Sequence, residues 1–121
     1  MNTARPVLGV VGPCASGKST LVDQLRSRGY QVKHIAQEHS YVKDMWKRIA
    51  QPDILIYLDV SYEVSCGRSQ SNWSKKIFNL QLERLQHARK HADLYVDTND
   101  KKPAEVLDLV IKTIEDTIGE I

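Results

Sequence analysis

Hydrophobic positions along the chain switch repeatedly between two spacings. Short apolar runs alternate with stretches in which apolar residues recur every three or four positions, the pattern of strands alternating with helices. Val7-Leu8-Gly9-Val10-Val11 is the first run, apolar and β-branched as in a strand buried on both faces. Leu21, Val22 and Leu25 then share a helical face, with Asp23, Gln24 and Arg26 opposite. Gly29 stands where such a helix takes a left-handed end. Residues 30–36 read as a second strand with Val32 and Ile35 as its apolar members, ending near Gln37 and Glu38. Ser40 is placed to cap a helix over residues 41–50, with Tyr41, Val42, Met45 and Ile49 as its buried stripe, and Pro52 stops it.

Residues 53–60 form the clearest strand, a near-continuous apolar run suited to the centre of a parallel sheet. Ser61 reads as the N-cap of a short helix through about Cys66, and residues 67–74 have loop chemistry. A long helix is expected over residues 74–91, with Phe78, Leu82, Leu85 and Ala88 at helical spacing. Residues 92–97 give a fourth strand and residues 98–100 a turn, and Pro103 suits a first helical position. The last helix carries Val106, Leu107, Val110, Ile111, Ile114 and Ile118 on one face, which would close the core. This alternation predicts one α/β domain over residues 1–121, without repeat or linker, whose parallel sheet is covered on both faces.

Composition changes that picture little. The 121 residues are 41% hydrophobic and 26% charged, an ordinary globular balance. A net charge of +2 is too small to argue for a nucleic-acid or anionic-membrane partner. No apolar run approaches the roughly 20 residues of a membrane span, and the run after Pro6 reads as a first strand rather than a signal peptide. Neither Cys14 nor Cys66 belongs to a metal-type C-x-x-C pair. A disulfide between them would stiffen the loop at Cys14, so reduced thiols and a cytoplasmic setting are expected. Cys14 is open to two readings, a small residue at a variable loop position or a thiol made oxidisable by neighbouring amide dipoles.

Chemistry enters at Gly12-Pro13-Cys14-Ala15-Ser16-Gly17-Lys18-Ser19-Thr20. The string matches G-x-x-x-x-G-K-[ST], the phosphate-binding P-loop, and has the strand before it and the helix after it that this motif requires. Its backbone N–H groups, freed by Gly12 and Gly17, would cradle phosphate oxygens at a helix N-terminus, with Lys18 supplying charge to the β- and γ-phosphates.

With the P-loop in place, the chain resembles the P-loop kinase family of small nucleotide and metabolite kinases. Beyond the loop, the stretch from Pro52 to Ser61 (PDILIYLDVS) is similar to the strand before the lid in thymidylate kinases. The order that follows is also similar: a helix from Ser61, Arg68 with a polar loop, Tyr95-Val96-Asp97, and a final helix. The resemblance implies binding of ATP, or another nucleoside triphosphate, with Mg²⁺. It places Ser19 on the metal and Thr20 near the α-phosphate, and has Arg68 stacking on the base or meeting phosphate as a lid closes. The middle of the chain departs from the family. About fifteen residues separate Ala36 from Pro52, roughly one helix, where those kinases carry a further strand and the acceptor-binding helices. The second strand then takes the place beside the first. The expected architecture is a three-layer α/β/α sandwich with about four parallel strands in the order 2-1-3-4, joined by right-handed crossovers.

That order makes Glu38 a candidate for the carboxylate near Mg²⁺, with Asp59 at the tip of the next strand as the other. Against these stand a solvated loop acid and a helix-capping acid. His39 is a candidate base or an exposed loop histidine. Trp73 would cover a ligand or close a small satellite core, while Arg84 and Arg89, five apart, fit a solvated helix face. Two functions follow. One is a kinase-like phosphotransferase with an acceptor that the residues do not name, completed by a partner subunit, for instance in a homo-oligomer. The other is a nucleotide-binding regulatory module or slow NTPase without an acceptor site.

Overall fold

Leu8 and Val10 enter one apolar cluster while Val11 enters another, because successive residues of a strand face opposite sides of its sheet. The same division runs through Ile56 and Leu58 against Leu55 and Tyr57. A computed structural model describes residues 6–69 and 74–119, with side chains as far as Thr117. Trp73 and the side chain of Ile118 lie outside the described residues. The strands are β1 (Val7–Val11), β2 (Gln31–His34), β3 (Ile54–Asp59) and β4 (Leu94–Asp97), and the helices are α1 (Lys18–Ser27), α2 (Tyr62–Ser69), α3 (Lys75–His91) and α4 (Pro103–Gly119). They form one four-stranded sheet in the order β2-β1-β3-β4. All pairings are parallel, with Val10 opposite both His34 and Ile56 and Asp59 opposite Asp97. The three-layer α/β arrangement and the strand order expected from the sequence are both present.

Helices α1 and α4 cover one face, through Leu21, Val22, Leu25, Val106, Val110 and Ile114. Helix α3 covers the other through Leu85 and Ala88, joined by Trp46 and Ala50. The chain leaves β1 toward β2 on one side and passes to β3 and β4 on the other. The carboxyl ends of β1 and β3 therefore flank a topological switch point, where open α/β sheets place their ligands.

Local signals account for most element ends. Gly29, at φ +91°, ends α1, and the Gly29 and Tyr30 amides donate back to the Arg26 and Leu25 carbonyls. Ser61 caps α2 by accepting from the Val64 amide at 3.2 Å, and Ser74 caps α3 by accepting from Ile77 at 3.1 Å. Helix α2 continues through Gly67 and Arg68, past the end expected at Cys66. Leu82 of α3 is only half-buried, whereas Gln81 beside it is buried.

The middle segment differs from expectation. Residues 41–50 do not form one amphipathic helix. A 3₁₀ turn at Gln37–His39 is followed by bends and a single π turn, Trp46–Ala50, closed by the Gln51 amide on the Trp46 carbonyl. Of the expected stripe, Tyr41 is 87% and Ile49 74% exposed, while Trp46 and Ala50 are buried instead. Gln37 causes the change. Fully buried, it donates from Nε2 to the Val42 carbonyl at 2.8 Å and the Arg84 carbonyl at 3.2 Å. Its Oε1 accepts from the Trp46 amide at 2.9 Å. A side chain has taken partners that helical backbone would otherwise supply. Ser40 likewise bonds locally to the Val42 amide and caps no helix.

Candidate functional site

Glycine chemistry shapes the loop after β1. Gly12 has φ +156° and Gly17 φ +102°, and Ala15 between them is left-handed at φ +64°. Helix α1 begins at Lys18 with no side-chain cap on its N-terminus and no acid in its first turn. Its first N–H groups have no carbonyl one turn earlier in the helix, and with the helix dipole they favour an anion. Cys14, Ala15, Gly17, Lys18, Ser19, Thr20, His34 and Glu38 line a cavity of about 320 Å³ at this end.

Lys18 and Glu38 meet inside that wall. Lys18 Nζ lies 2.9 Å from Glu38 Oε2, with side chains 7% and 5% exposed. The ammonium also donates to the Gly12 carbonyl at 2.6 Å and the Pro13 carbonyl at 3.1 Å. The lysine thus folds back onto its own loop. Glu38 Oε1 is buried without a hydrogen-bond partner among the described residues, as is the Ser16 hydroxyl. Buried polar atoms are ordinarily satisfied, and these two are exceptions among the described residues. Ser19 and Thr20 are exposed in the first turn of α1.

Gln81, Ser65 and Thr98, which the sequence did not single out, hold the loop together with Arg68, which it did. Gln81 of α3 accepts from the Cys14 amide at 3.0 Å and donates to Cys14 Sγ at 3.2 Å. Ser65 of α2 donates to the Cys14 carbonyl at 2.9 Å. Thr98, buried after β4, places Oγ1 3.0 Å from the Ser16 carbonyl and from the Asp59 carbonyl. Arg68 donates from Nη1 to the Ala15 carbonyl at 3.1 Å and to Thr98 Oγ1 at 3.0 Å, and from Nη2 to the Thr98 carbonyl. Arg68 therefore bridges the loop and the turn after β4. Beside it lies a second cavity of about 210 Å³, lined by Ser16, Thr20, Leu21, Arg68, Lys101 and Pro103 among others. The two cavities adjoin, since Gly17 and Thr20 line both.

Of the two candidate carboxylates, Glu38 is brought to Lys18 and Asp59 is not. Asp59 accepts from its neighbour's amide at Val60 and from the Tyr95 hydroxyl, and Arg89 Nη2 stands 3.9 Å away. Arg89 also lies over the Tyr95 ring, 5.2 Å from its centre. The acid next to it, the hydrogen bond to it and burial push the Tyr95 hydroxyl up to about 12, burial being the largest cause. Arg89 is thus tied to a surface group of its own. Arg84 also departs from a freely solvated face: it donates to the Glu38 carbonyl at 3.3 Å and covers the exposed Tyr41 ring. His39 is exposed, with Nε2 3.9 Å from Glu38 Oε2. Cys14 and Cys66 are free thiols.

His34, at the end of β2, offers a pH test of this cluster. Burial, then the nearby Lys18 charge, hold its imidazole below the ordinary value of 6.5, against an opposing pull from Glu38. In the window below 6.5 the unfolded chain binds more proton than the folded one. Stability is therefore expected to fall as pH drops through that window and to level off beneath the folded value. Urea unfolding of His34→Gln should show a flatter dependence below pH 6.5 than the parent chain; equal slopes would refute the assignment.

No family model matches the chain. Among the described residues, no helix is long and apolar enough to cross a membrane.

Proposed function

We propose that the chain binds a nucleoside triphosphate, with ATP the first to test, and acts as a kinase-like phosphotransferase of the P-loop type. The observation that carries this reading is the buried Lys18–Glu38 pair at the uncapped start of α1. A cation held on two loop carbonyls is placed to exchange those partners for phosphate oxygens, which bind an ammonium as charge-assisted acceptors. Phosphates would occupy the larger cavity, against the amides of residues 15–20, and the base the adjoining cavity beside Arg68 and the turn at Thr98. At about 210 Å³, the latter lies below the roughly 300–1,000 Å³ of drug-sized sites and suits a single flat ring system.

The residues present fit magnesium, because Ser19 and Glu38 line one cavity and Glu38 Oε1 has no partner among the described residues. Ser19 and Glu38 would hold the ion, which supplies charge neutralisation at the β- and γ-oxygens when bound. Arg68 would lie against the base in the smaller cavity, and its bond to the Ala15 carbonyl ties that role to the shape of the loop. Asp59 has no part in this reading, since Tyr95 and Arg89 engage it.

A second reading, a regulatory nucleotide-binding module or slow NTPase, is favoured by the middle segment. Between β2 and β3 stand one 3₁₀ turn and one π turn, too little to wall an acceptor pocket within the chain. A partner subunit would then have to supply it. Calorimetric titration with Mg-ATP and Mg-GTP should give one saturable site, and absence of heat with both would overturn nucleotide binding. A transfer assay with nucleosides, nucleotides and sugars separates the functions: turnover of about 1–100 per second supports a kinase, and binding without transfer supports the module.

A further inference from the structure

Three side chains with metal-binding atoms converge at the mouth of the loop. Cys14 Sγ, His39 Nε2 and a carboxylate oxygen of Glu38 all lie within 4.8 Å of one another. Cys14 Sγ stands 3.9 Å from His39 Nε2, which stands 3.9 Å from Glu38 Oε2. Around a tetrahedral zinc ion such atoms sit about 3.3–3.6 Å apart, so the group needs to contract by less than the reach of one side-chain rotation. The geometry points to a site for a thiophilic divalent cation, Zn²⁺ or Co²⁺, formed by Cys14, Glu38 and His39.

Two further features support it. Glu38 is 4% exposed and its Oε1 has no partner among the described residues. A buried carboxylate oxygen left without a partner is costly; a turn of the carboxylate that brings Oε1 to the cation, in place of the Oε2 that stands near His39, relieves that cost and keeps Oε2 on Lys18. Gln81, itself buried, grips Cys14 at two points and donates to its sulfur. An N–H aimed at the sulfur holds it in place, as outer groups orient the ligands of metal sites. The donor set decides the ion: thiolate with imidazole and one carboxylate suits zinc or cobalt and is a poor match for magnesium or calcium. Three protein ligands leave a fourth position for water, and exposed His39 gives access from solvent. Binding releases the Cys14 thiol proton.

This site does not rest on the nucleotide reading, since it forms without phosphate. It shares Glu38 with the proposed magnesium site and Cys14 with the wall of the same cavity, so the two metals would compete for the Glu38 carboxylate.

Co²⁺ titrated into the reduced 121-residue chain, without nucleotide, should produce the near-ultraviolet charge-transfer absorption of a thiolate–cobalt bond. Zn²⁺ should displace it with a stoichiometry of one by calorimetry. Cys14→Ser should abolish the absorption, and His39→Ala should weaken Zn²⁺ by about tenfold or more; both positions have some solvent access, and circular dichroism confirms that each variant is folded. A competing arrangement is the His87 and His91 pair, stacked one turn apart on α3 with ring centres separated by 4.3 Å. Zn²⁺ binding that survives Cys14→Ser and is lost in His87→Ala would overturn the assignment, as would the absence of a thiolate–cobalt band in the parent chain.

Discussion

Lys18→Ala is expected to remove nucleotide binding and, separately, to destabilise the chain. The two losses have different origins. Phosphate affinity falls because the ammonium's bonds to the β- and γ-phosphates are gone. At about 1.5–3 kcal/mol for each of two charge-assisted hydrogen bonds, affinity should drop by about 100-fold or more. Stability falls because Glu38 remains buried without its counter-charge, and breaking a buried pair from one side costs about 3–5 kcal/mol. The double variant Lys18→Met with Glu38→Gln separates these effects, because it removes both charges at once. Its urea midpoint should return most of the way to that of the parent, while calorimetry with Mg-ATP should still show no binding. A double variant as unstable as Lys18→Ala would sink the explanation by an unpaired carboxylate. Unchanged ATP affinity in Lys18→Ala would sink the phosphate assignment.

Gly12→Ala should be the most damaging single methyl group in the loop. A Cβ at that position would lie 2.2 Å from the Leu58 carbonyl oxygen, and the backbone there has φ +156°. The obstacle is backbone of the central strand β3 and cannot rotate aside, so the end of the β1–β3 pairing must open. Overpacking and backbone strain each cost about 1–3 kcal/mol. A combined loss of about 3 kcal/mol or more lowers the thermal midpoint of a domain this size by about 10 °C or more. Gly17→Ala is the internal control. Gly17 also has positive φ, at +102°, but a Cβ there meets nothing within 4 Å. It should lose only about 1 kcal/mol from its backbone conformation. Equal midpoint shifts for the two variants would show that the contact with Leu58 is unimportant.

Periodicity and spacing made much of the fold legible. The strand order was readable through the resemblance to P-loop kinases, whose additional strand beside the first has no room in the short stretch between Ala36 and Pro52, and the sheet has that order. The helix over residues 41–50 was misread because its apolar residues do recur at helical spacing. That pattern cannot register a buried Gln37 that takes backbone partners from both sides of the turn. A glutamine has no periodic signature, and Gln81 escaped notice for the same reason. Glu38 was readable as a candidate from its place at the end of a strand beside the loop. Its pairing with Lys18, and the capture of Asp59 by Tyr95 and Arg89, were not.

The sequence alone determined the alternation of strands and helices, the glycines of the 12–20 loop and the position of Lys18 at the head of α1. These are local properties, set by side-chain period, by the conformational freedom of glycine and by the spacing within one motif. Tertiary structure decided which groups from distant segments share the site. Glu38 beside Lys18, Gln81 on Cys14, and Arg68 between Ala15 and Thr98 join positions 20 to 67 residues apart. Such contacts depend on strand register, on helix docking and on which rotamer fills the space left, and a single sequence carries no period that encodes them.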